Sequence, residues 1–294
     1  MKIAFIGLGN MGVPMAANLA AKDFAVTGFD IVLANLERAA GQGIVAARSA
    51  EDAVSAADAV ITMVPAGEHV LTLYRSILGA ARPGTLFIDC STIDVASARE
   101  AHGLAQQADM QSLDAPVSGG TAGAAAATLT FMVGGERSAF DRGNPVLAAM
   151  GKRIVRCGRA GAGQAAKICN NMILGVSMIA VSEAFVLAEK LGLDAKALYD
   201  VASTASGQCW SLTTYCPVPG VGPQSPADND YRPGFAAALM LKDLSLSQQA
   251  AAETGAATPL GAHAEALYRQ FNDEGGAAQD FSAIIRYLGA AKRD

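Results

Sequence analysis

The feature that most constrains this chain is a glycine-rich turn directly after its first apolar segment. Residues 2–6 form that segment, and Gly7, Gly9 and Gly12 follow it in the pattern G-x-G-x-x-G. The next apolar segment ends on Asp30, an acid at the spacing expected from such a turn. A strand, a glycine turn, a helix and a terminal acid in this order are typical of a βαβ unit that binds an adenine dinucleotide. The alternative is the same sheet architecture without a nucleotide.

The residues of this turn have separate physical tasks. Gly7 permits a tight turn, Gly9 lets the main chain approach a pyrophosphate, and Gly12 lets the next helix pack closely. Asp30 is placed to accept hydrogen bonds from the adenosine ribose, and residues 31–37 contain no Lys or Arg to bind a 2′-phosphate. We therefore predict NAD rather than NADP as the cofactor. The predicted cofactor-binding residues of the turn are Gly7, Leu8, Gly9, Asn10, Met11 and Gly12.

Short apolar segments alternate with alanine-rich segments of helical length through the first half of the chain. Such alternation predicts βαβ crossovers and a mainly parallel sheet with helices on both faces. The predicted strands are residues 3–6, 25–29, 59–64, 85–89, 112–115, 129–133 and 153–155. Ligands of such sheets bind beyond the carboxyl ends of the strands, so we expect residues 64–67, 90–93 and 116–120 to form the site.

The strand pattern ends near Gly158, and a proline-free run over residues 164–191 predicts one long helix. Residues 206–234 are rich in proline and glycine and predict a long irregular loop. The other predicted helices are 194–203, 235–254, 259–273 and 280–291, with Asp194 and Thr258 as N-caps. We therefore predict an α/β fold with a Rossmann-type, doubly wound, mainly parallel sheet in residues 1–161. An all-α domain in residues 162–294 follows it and begins with the long bridging helix.

Composition argues against several classes of protein. With 51% hydrophobic and 17% charged residues, the chain is predicted to be globular rather than disordered. A net charge of −5 argues against nucleic acid or an anionic membrane as a partner. The five cysteines do not have the spacing of a disulfide framework, which predicts reduced thiols and a cytoplasmic protein. The three histidines do not have the spacing of metal ligands, so no metal site is predicted. The N-terminus lacks a basic signal region, and the apolar run 172–188 is expected to be buried and too short to span a bilayer.

Candidate catalytic residues lie in the first turns of the predicted long helix. Lys167 and Asn171 are four residues apart and share one helix face in an otherwise apolar sequence. Desolvation there would lower the pKa of Lys167 toward the range useful for general acid–base catalysis. The alternative is that Lys167 extends its amine to water and has no catalytic role.

Other segments have chemistry that suits a substrate. Ser118-Gly119-Gly120 follows a strand, and its N–H groups and hydroxyl suit a carboxylate, although Gly-Gly is also common in plain turns. Trp210 lies in the irregular loop, where an aromatic side chain either lines a pocket or simply packs. Lys242 and Asp243 form the kind of pair that normally lies on a solvated helix face.

Four separated motifs, in the right order, resemble those of the β-hydroxyacid dehydrogenases over nearly the whole chain. They are residues 7–12 (GLGNMG), 114–120 (DAPVSGG), 161–171 (GAGQAAKICNN) and 242–244 (KDL). Within that family, residues 206–210 and 215–220 are most similar to the 3-hydroxyisobutyrate dehydrogenase branch. Thr121 and Ala122 after the glycine pair depart from the family pattern, which bears on the preferred size of the substrate.

The resemblance implies a role for each matching residue. Lys167 is the implied acid–base catalyst, and Asn171 would hold the substrate hydroxyl beside it. The other implied contacts are Ser118, Gly119, Gly120 and Trp210 with the substrate, and Val64, Pro65, Thr92, Phe235 and Lys242 with the cofactor, besides Asp30 and the glycine turn. The implied reaction is the NAD-dependent oxidation of 3-hydroxyisobutyrate to methylmalonate semialdehyde in valine degradation, by a homodimer or homotetramer.

Two other functions stay open at this point. One is a tartronate or succinate semialdehyde reductase of the same family, which would share the catalytic residues. The other is a non-catalytic dinucleotide-sensing or scaffold protein, against which the joint presence of Lys167, Asn171 and Ser118 argues. A 6-phosphogluconate dehydrogenase is disfavoured, because the resemblance implies a much larger helical domain for that enzyme.

Overall fold

A computed structural model describes residues 1–290, and the chain divides into two compact units. The first unit is Met1–Lys167, and the second begins at Ile168. The division falls inside one long helix (Ala162–Lys190), whereas the boundary predicted from the sequence is at residues 161/162. Residues 291–294 lie outside the described residues. The predicted second domain includes all four of them, and the predicted last helix includes residue 291.

The first unit is built on one sheet, which has nine strands within the described part of the chain. The strands are β1 (Lys2–Ile6), β2 (Ala25–Phe29), β3 (Val45–Ala46), β4 (Ala59–Thr62), β5 (Leu86–Asp89), β6 (Gln111–Asp114), β7 (Val117–Ser118), β8 (Leu129–Gly135) and β9 (Gly151–Gly158). Their order is β3-β2-β1-β4-β5-β6-β8-β7, with β9 paired to β8. The first six strands pair in parallel, and β8 runs antiparallel to β6 and β7. The predicted mainly parallel sheet is confirmed.

Both faces of this sheet are buried along its central strands, whereas β3 and most of β9 are exposed. In β1, Ile3 and Phe5 belong to one apolar cluster, and Ala4 and Ile6 belong to another on the opposite face. Strands covered on both faces are apolar at nearly every position, which is why the apolar runs located them. The two-residue strands β3 and β7 were not predicted, because neither is long enough to produce such a run.

Helices flank the sheet and make up most of the second unit. They are α1 (Gly12–Ala20), α2 (Leu33–Ala40), α3 (Ala50–Val54), α4 (Gly67–Ile77), α5 (Val95–Gln107), α6 (Gly120–Ala125), α7 (Arg137–Ala148), α8 (Ala162–Lys190), α9 (Ala195–Ala202), α10 (Trp210–Thr213), α11 (Ala237–Thr254), α12 (Pro259–Phe271) and α13 (Ile284–Ala290). Shorter turns are the 3-10 turns Leu78–Ala80, Pro226–Asn229 and Phe281–Ala283 and the π turn Asn272–Gly276. An all-helical region after the sheet was the prediction, and it is confirmed.

Helix ends in the second unit correct several sequence predictions. The predicted N-cap Asp194 accepts from the Ala197 N–H, as expected. Thr258 precedes α12, but its hydroxyl donates to Gln248 rather than capping the helix. The helix predicted to start at Phe235 begins at Ala237. The segment predicted as one helix from residue 280 is a 3-10 turn followed by α13, and the loop 206–234 contains α10 and a further 3-10 turn.

α8 is the one helix in residues 1–290 that is long and apolar enough to cross a membrane, by length and composition only. The expectation that the run 172–188 is too short was wrong, because the helix continues on both sides to 29 residues. Of its most apolar 18-residue window, 44% is buried in the protein. A core helix of a soluble protein meets the same criterion, so this finding is weak evidence for a membrane.

Candidate active site

The glycine turn after β1 is shaped by close approaches of the main chain. Gly7 has a φ of 94°, and a Cβ there would lie 2.2 Å from the carbonyl oxygen of Met63. A Cβ on Gly12 would lie 1.9 Å from the carbonyl oxygen of Gly7, so α1 starts directly against the turn. A Cβ on Gly9, by contrast, would meet nothing within 4 Å. Two glycines thus serve the packing of the turn, and the third leaves open space where a pyrophosphate would fit.

The start of α1 adds donors to this space. Met11 occupies the N-cap position, and no side chain of the described residues caps the helix there. The N–H groups of a helix start have no partner within the helix, and together with the helix dipole they attract an anion. The structure therefore places the whole predicted turn at one position that suits a dinucleotide phosphate.

Asp30 and Arg38 flank the turn on the side predicted for the ribose. The Asp30 carboxylate accepts from the N–H of Leu8 at 2.7 Å and from that of Val32 at 2.8 Å. The guanidinium of Arg38 donates to the Leu8 carbonyl oxygen at 3.1 Å and to Asn35 at 3.1 Å. Arg38 was not among the residues predicted from the sequence, because it lies one residue beyond the segment 31–37 and reaches the turn only through the position of α2.

The segments after β4 and β5 lie side by side at the carboxyl edge of the sheet. The N–H of Val64 donates to the Ser91 hydroxyl oxygen at 2.9 Å, which joins the two segments. The predicted nicotinamide-side residues Val64, Pro65 and Thr92 therefore belong to two neighbouring, hydrogen-bonded loops. This placement follows from the parallel register, in which Thr62 pairs with Asp89 at the strand ends.

Asp89, the last residue of β5, is a buried carboxyl group with uneven hydrogen bonding. Its Oδ1 accepts from Thr62 Oγ1 and Ser91 Oγ, both at 2.7 Å, and from Ser91 N at 3.2 Å. Its Oδ2 accepts no hydrogen bond from any residue that the structure describes. Burial raises the pKa of Asp89 to about 6, and the bonds from Ser91 and Thr62 oppose that rise.

The segment predicted to hold a carboxylate is a turn with two left-handed glycines. β7 ends at Ser118, and φ is 134° at Gly119 and 61° at Gly120. The chain then enters α6, and the Gly123 N–H donates to the Gly119 carbonyl oxygen at 2.9 Å. These φ values require glycine for the turn itself, whether or not a ligand binds there. Binding of a substrate carboxylate at this turn stays a prediction.

Lys167 and Asn171 lie one turn apart on α8. Both are buried, with exposed fractions of 6% and 1%, which argues against a lysine that extends its side chain into water. The start of this helix is anchored by Asp114, which accepts from the N–H groups of Gly161 and Gln164 at 2.8 and 3.0 Å. The first turns of α8 are therefore held in place by a buried carboxylate on β6.

In the second unit, Asn171 is oriented by Asp243. Its Nδ2 donates to the Asp243 carboxylate, and its Oδ1 accepts from Asn170 Nδ2 at 2.9 Å. Asp243 is buried and follows the half-buried Lys242 on α11. The expectation of a solvated Lys242–Asp243 pair was wrong for Asp243. Its spacing of three residues from the apolar Met240 is the signal that could have found it, because positions three apart share a helix face.

The other predicted residues of the second unit belong to an aromatic cluster. Trp210 stacks on Tyr215 with ring centroids 4.9 Å apart, and Tyr215 stacks on Phe281 at 5.3 Å. Phe235 contacts the edge of Phe281 at 5.8 Å. Trp210, assigned to the substrate, and Phe235, assigned to the cofactor, are thus connected through two intervening rings.

Asp280 anchors this cluster and was not among the residues predicted from the sequence. Its Oδ2 accepts from the Tyr215 hydroxyl and from the N–H groups of Gly234 and Phe235, each at 3.0 Å. Its Oδ1 accepts from the N–H and hydroxyl of Ser282 at 3.0 and 2.7 Å. Burial, with the neighbouring Asp280 charge, raises the pKa of Tyr215 far above its usual value, so the phenol keeps the proton it donates.

A Rossmann-type sheet with a dinucleotide turn, followed by a long helix that carries a buried lysine and a buried asparagine one turn apart, is the arrangement expected of a nicotinamide-dependent hydroxyacid dehydrogenase. Two family models divide the chain between them. Residues 2–158 match the NAD binding domain of 6-phosphogluconate dehydrogenase, and residues 161–288 match the NAD-binding domain of NADP-dependent 3-hydroxyisobutyrate dehydrogenase.

Individual relatives agree with the family models. A probable 3-hydroxyisobutyrate dehydrogenase of Mycobacterium tuberculosis is 57% identical over 98% of both chains. A solved structure of the 3-hydroxyisobutyrate dehydrogenase of that organism with L-serine has a TM-score of 0.96, covering 98% of this chain and 99% of that one. An NAD-dependent L-serine dehydrogenase of Pseudomonas aeruginosa is 48% identical over 96% of each chain. The chain belongs to the 3-hydroxyisobutyrate dehydrogenase family of NAD-dependent 3-hydroxyacid dehydrogenases.

Proposed function

We propose that the protein oxidises 3-hydroxyisobutyrate to methylmalonate semialdehyde with NAD, and that Lys167 is the general base. The observation that carries this proposal is the burial of Lys167 and Asn171 one turn apart on α8. A buried lysine can act as the general base for a hydroxyl group, and an oriented amide can hold that hydroxyl group beside it by a hydrogen bond. Membership of the family supports the substrate class.

The residues of the first unit fit a dinucleotide. The open space at Gly9 and the uncapped start of α1 suit the pyrophosphate, and Asp30 suits the ribose. Val64, Pro65 and Thr92 would line the nicotinamide side. We propose NAD over NADP because a 2′-phosphate would meet the Asp30 carboxylate. A bound nicotinamide ring supplies the hydride acceptor of the reaction.

The chain's own residues then carry out binding and proton transfer. The N–H groups of Gly119 and Gly120 and the Ser118 hydroxyl hold the substrate carboxylate, which fixes the hydroxyl-bearing carbon. Asn171, with its amide oriented by Asp243, donates to the substrate hydroxyl oxygen. The neutral amine Nζ of Lys167 accepts the hydroxyl proton as the carbonyl forms, and returns it in the reverse direction.

L-serine is the second candidate substrate. It is also a 3-hydroxy acid, and it differs from 3-hydroxyisobutyrate by an ammonium in place of the methyl group. A relative named NAD-dependent L-serine dehydrogenase and a related structure solved with L-serine favour this candidate. An ammonium needs hydrogen-bond acceptors that a methyl group does not, so the two substrates make opposite demands on the pocket.

A substrate panel tests the proposal. The purified protein is assayed for NADH formation with both enantiomers of 3-hydroxyisobutyrate and with L-serine, and for NADH consumption with tartronate and succinate semialdehydes. Each reaction is repeated with the NADP couple. We expect the highest kcat/KM for 3-hydroxyisobutyrate with NAD. A higher kcat/KM for L-serine or for a semialdehyde would replace the substrate, and no turnover with any compound would favour a non-catalytic dinucleotide-binding protein.

We also propose that the protein acts in valine degradation as a cytoplasmic homo-oligomer. Large apolar side chains exposed on helices of the second unit support self-association. They include Ile173, Leu187, Leu239 and Leu260. Light scattering of the eluting protein tests this proposal, and a mass equal to one chain would contradict it.

A further inference from the structure

Gln164 is a fully buried amide in the first turn of α8, three residues before Lys167. Its Nε2 donates to the Ser91 carbonyl oxygen at 2.7 Å, and its Oε1 accepts from the Ile93 N–H at 3.1 Å. Only one orientation of the amide satisfies both partners, since a flipped amide would set donor against donor and acceptor against acceptor. The two bonds therefore bracket Thr92, which lies between Ser91 and Ile93 in the sequence.

The bracketed loop is bonded in turn to the other nicotinamide-side loop. Ser91 contributes its carbonyl oxygen to Gln164 and accepts the Val64 N–H on its hydroxyl. One hydrogen-bonded chain thus runs from Val64 through Ser91 to Gln164. All of it lies within the first compact unit, which ends at Lys167.

The main chain of this helix turn is held by other groups. Asp114 accepts from the N–H groups of Gly161 and Gln164, and its Oδ1 also lies 2.9 Å from His102 Nε2. A Cβ on Gly163 would lie 2.3 Å from the Met132 carbonyl oxygen, so the helix start rests directly on the sheet. The side-chain bonds of Gln164 are therefore not needed to anchor α8. They fix the loop around Thr92 to a helix turn that is already anchored.

We propose that Gln164 is a positioning residue, which sets the nicotinamide-side loop relative to the helix turn that carries Lys167. The inference rests on the proposed function, in which Thr92 lines the nicotinamide side and Lys167 takes the proton. Residues three apart on a helix share a face, so the Gln164 side chain and Lys167 are adjacent. A loop that loses its bonds to Gln164 shifts the hydride acceptor relative to the amine.

The first test is Gln164→Leu, which removes both bonds at nearly constant volume. We expect kcat for the NAD-dependent oxidation to fall about 10- to 100-fold, because a misplacement of about 1 Å has an effect of this size. The primary deuterium isotope effect on kcat, measured with substrate labelled at the hydroxyl-bearing carbon, should rise as hydride transfer becomes rate-limiting.

Thr85→Val is the matched control. Thr85 is buried just before β5, at the opposite end of the strand from Ser91, and its hydroxyl donates to the carbonyl oxygens of Ala57 and Arg82. This variant loses buried hydrogen bonds without touching either loop. We expect a lower Tm with unchanged kcat and an unchanged isotope effect. If Gln164 only stabilises the fold, Gln164→Leu will behave in the same way, and the positioning role is then overturned.

Gln164→Glu tests the hydrogen bonds themselves and covers the case in which Gln164→Leu does not fold. A protonated Glu reproduces both bonds, whereas a carboxylate repels the Ser91 carbonyl oxygen. The buried carboxyl group of Asp114 accepts from the Gln164 N–H, and that of Asp89 contacts Ser91, so both further disfavour the charged form, and Lys167, neutral in the proposed function, adds no charge that opposes them. The loss of kcat relative to wild type should therefore be smaller at about pH 6 than at about pH 9. An equal loss at both pH values contradicts the proposal.

The wild-type protein in the same assay separates this inference from the proposed function. Absence of wild-type turnover with every 3-hydroxy acid removes the proposed function and the positioning role together. Wild-type turnover that Gln164→Leu matches removes the positioning role alone.

Discussion

In the first compact unit, the main chain shapes the predicted binding turns, whereas in the second unit buried carboxylates hold the predicted side chains in place. The turn at Gly7 and Gly12 can form because neither residue has a Cβ, for which there is no space. In the second unit, Asn171 depends on Asp243, 72 residues away, and Tyr215 depends on Asp280, 65 residues away. The first kind of site is set by local backbone conformation, and the second by contacts that form only after the helices have packed. The two kinds should fail differently when they are mutated.

The largest expected effect breaks the glycine turn. Gly12→Ala places a Cβ within 1.9 Å of the Gly7 carbonyl oxygen, so we expect the free energy of unfolding to fall by about 3 kcal/mol or more. Gly9→Ala meets nothing within 4 Å and should leave stability within about 0.5 kcal/mol of wild type. It should nevertheless weaken NADH binding, because the Cβ enters the space for the pyrophosphate. Denaturant unfolding and NADH titration measure the two effects, and equal stability losses would contradict this view of the turn.

The next effect concerns the buried carboxyl group of the first unit. Because the folded pKa of Asp89 is raised to about 6 from 3.8, the folded state binds more protons than the unfolded state between these values. The stability of wild type relative to Asp89→Asn should be greatest below about pH 4 and fall as pH rises through 6, by up to about 3 kcal/mol. Unfolding of both proteins across this range checks the prediction, and a pH-independent difference would contradict it.

A smaller effect is expected for the carboxylate of the second unit. In Asp280→Asn, the amide NH2 group would face either the N–H groups of Gly234 and Phe235 or those of Ser282, all of which are donors. We expect the free energy of unfolding to fall by about 2 kcal/mol. Trp210 is the single tryptophan of the chain, so its fluorescence reports the stack on Tyr215. This fluorescence should change in Asp280→Asn. Ser282→Ala, which loses one donor to Asp280, is the control and should leave it unchanged. An unchanged spectrum in both variants would contradict the role of Asp280 in holding Tyr215 against Trp210.

The smallest expected effect is a shift in the cofactor preference towards NADP. Asp30→Ser removes the carboxylate that would repel a 2′-phosphate and leaves the Arg38 guanidinium beside the turn. We expect the ratio of kcat/KM for NADP over NAD to rise about tenfold, or 1.4 kcal/mol. The double variant Asp30→Ser with Arg38→Ala should lose most of this gain. A gain of equal size in the double variant would show that Arg38 contributes nothing.

The sequence predicted the parts of the molecule that local patterns encode. Apolar runs buried on both faces located the central strands, and the glycine spacing located the dinucleotide turn. The two-residue strands β3 and β7 leave no such pattern. Arg38 was missed because the prediction considered spacing along the chain and not the return of α2 to the turn.

The side-chain networks were beyond local patterns for a different reason. Gln164 gives no sign in the sequence that its amide bonds to residues 91 and 93, because that contact depends on where α8 starts on the sheet. Asp280 collects donors from three separate segments, and only the folded chain brings them together. Asp243 was the exception, since its place on the apolar face of α11 could have been recognised from spacing alone.

The central claim is that the buried amine of Lys167 exchanges the proton with the substrate hydroxyl. Lys167→Ala, assayed for NADH formation with 3-hydroxyisobutyrate and titrated separately with NADH, tests it most directly. We predict that kcat falls about 1,000-fold or more while the Kd for NADH stays within about twofold of wild type, because general acid–base catalysis contributes on this scale. A variant that binds NADH normally and keeps the wild-type kcat would contradict the claim.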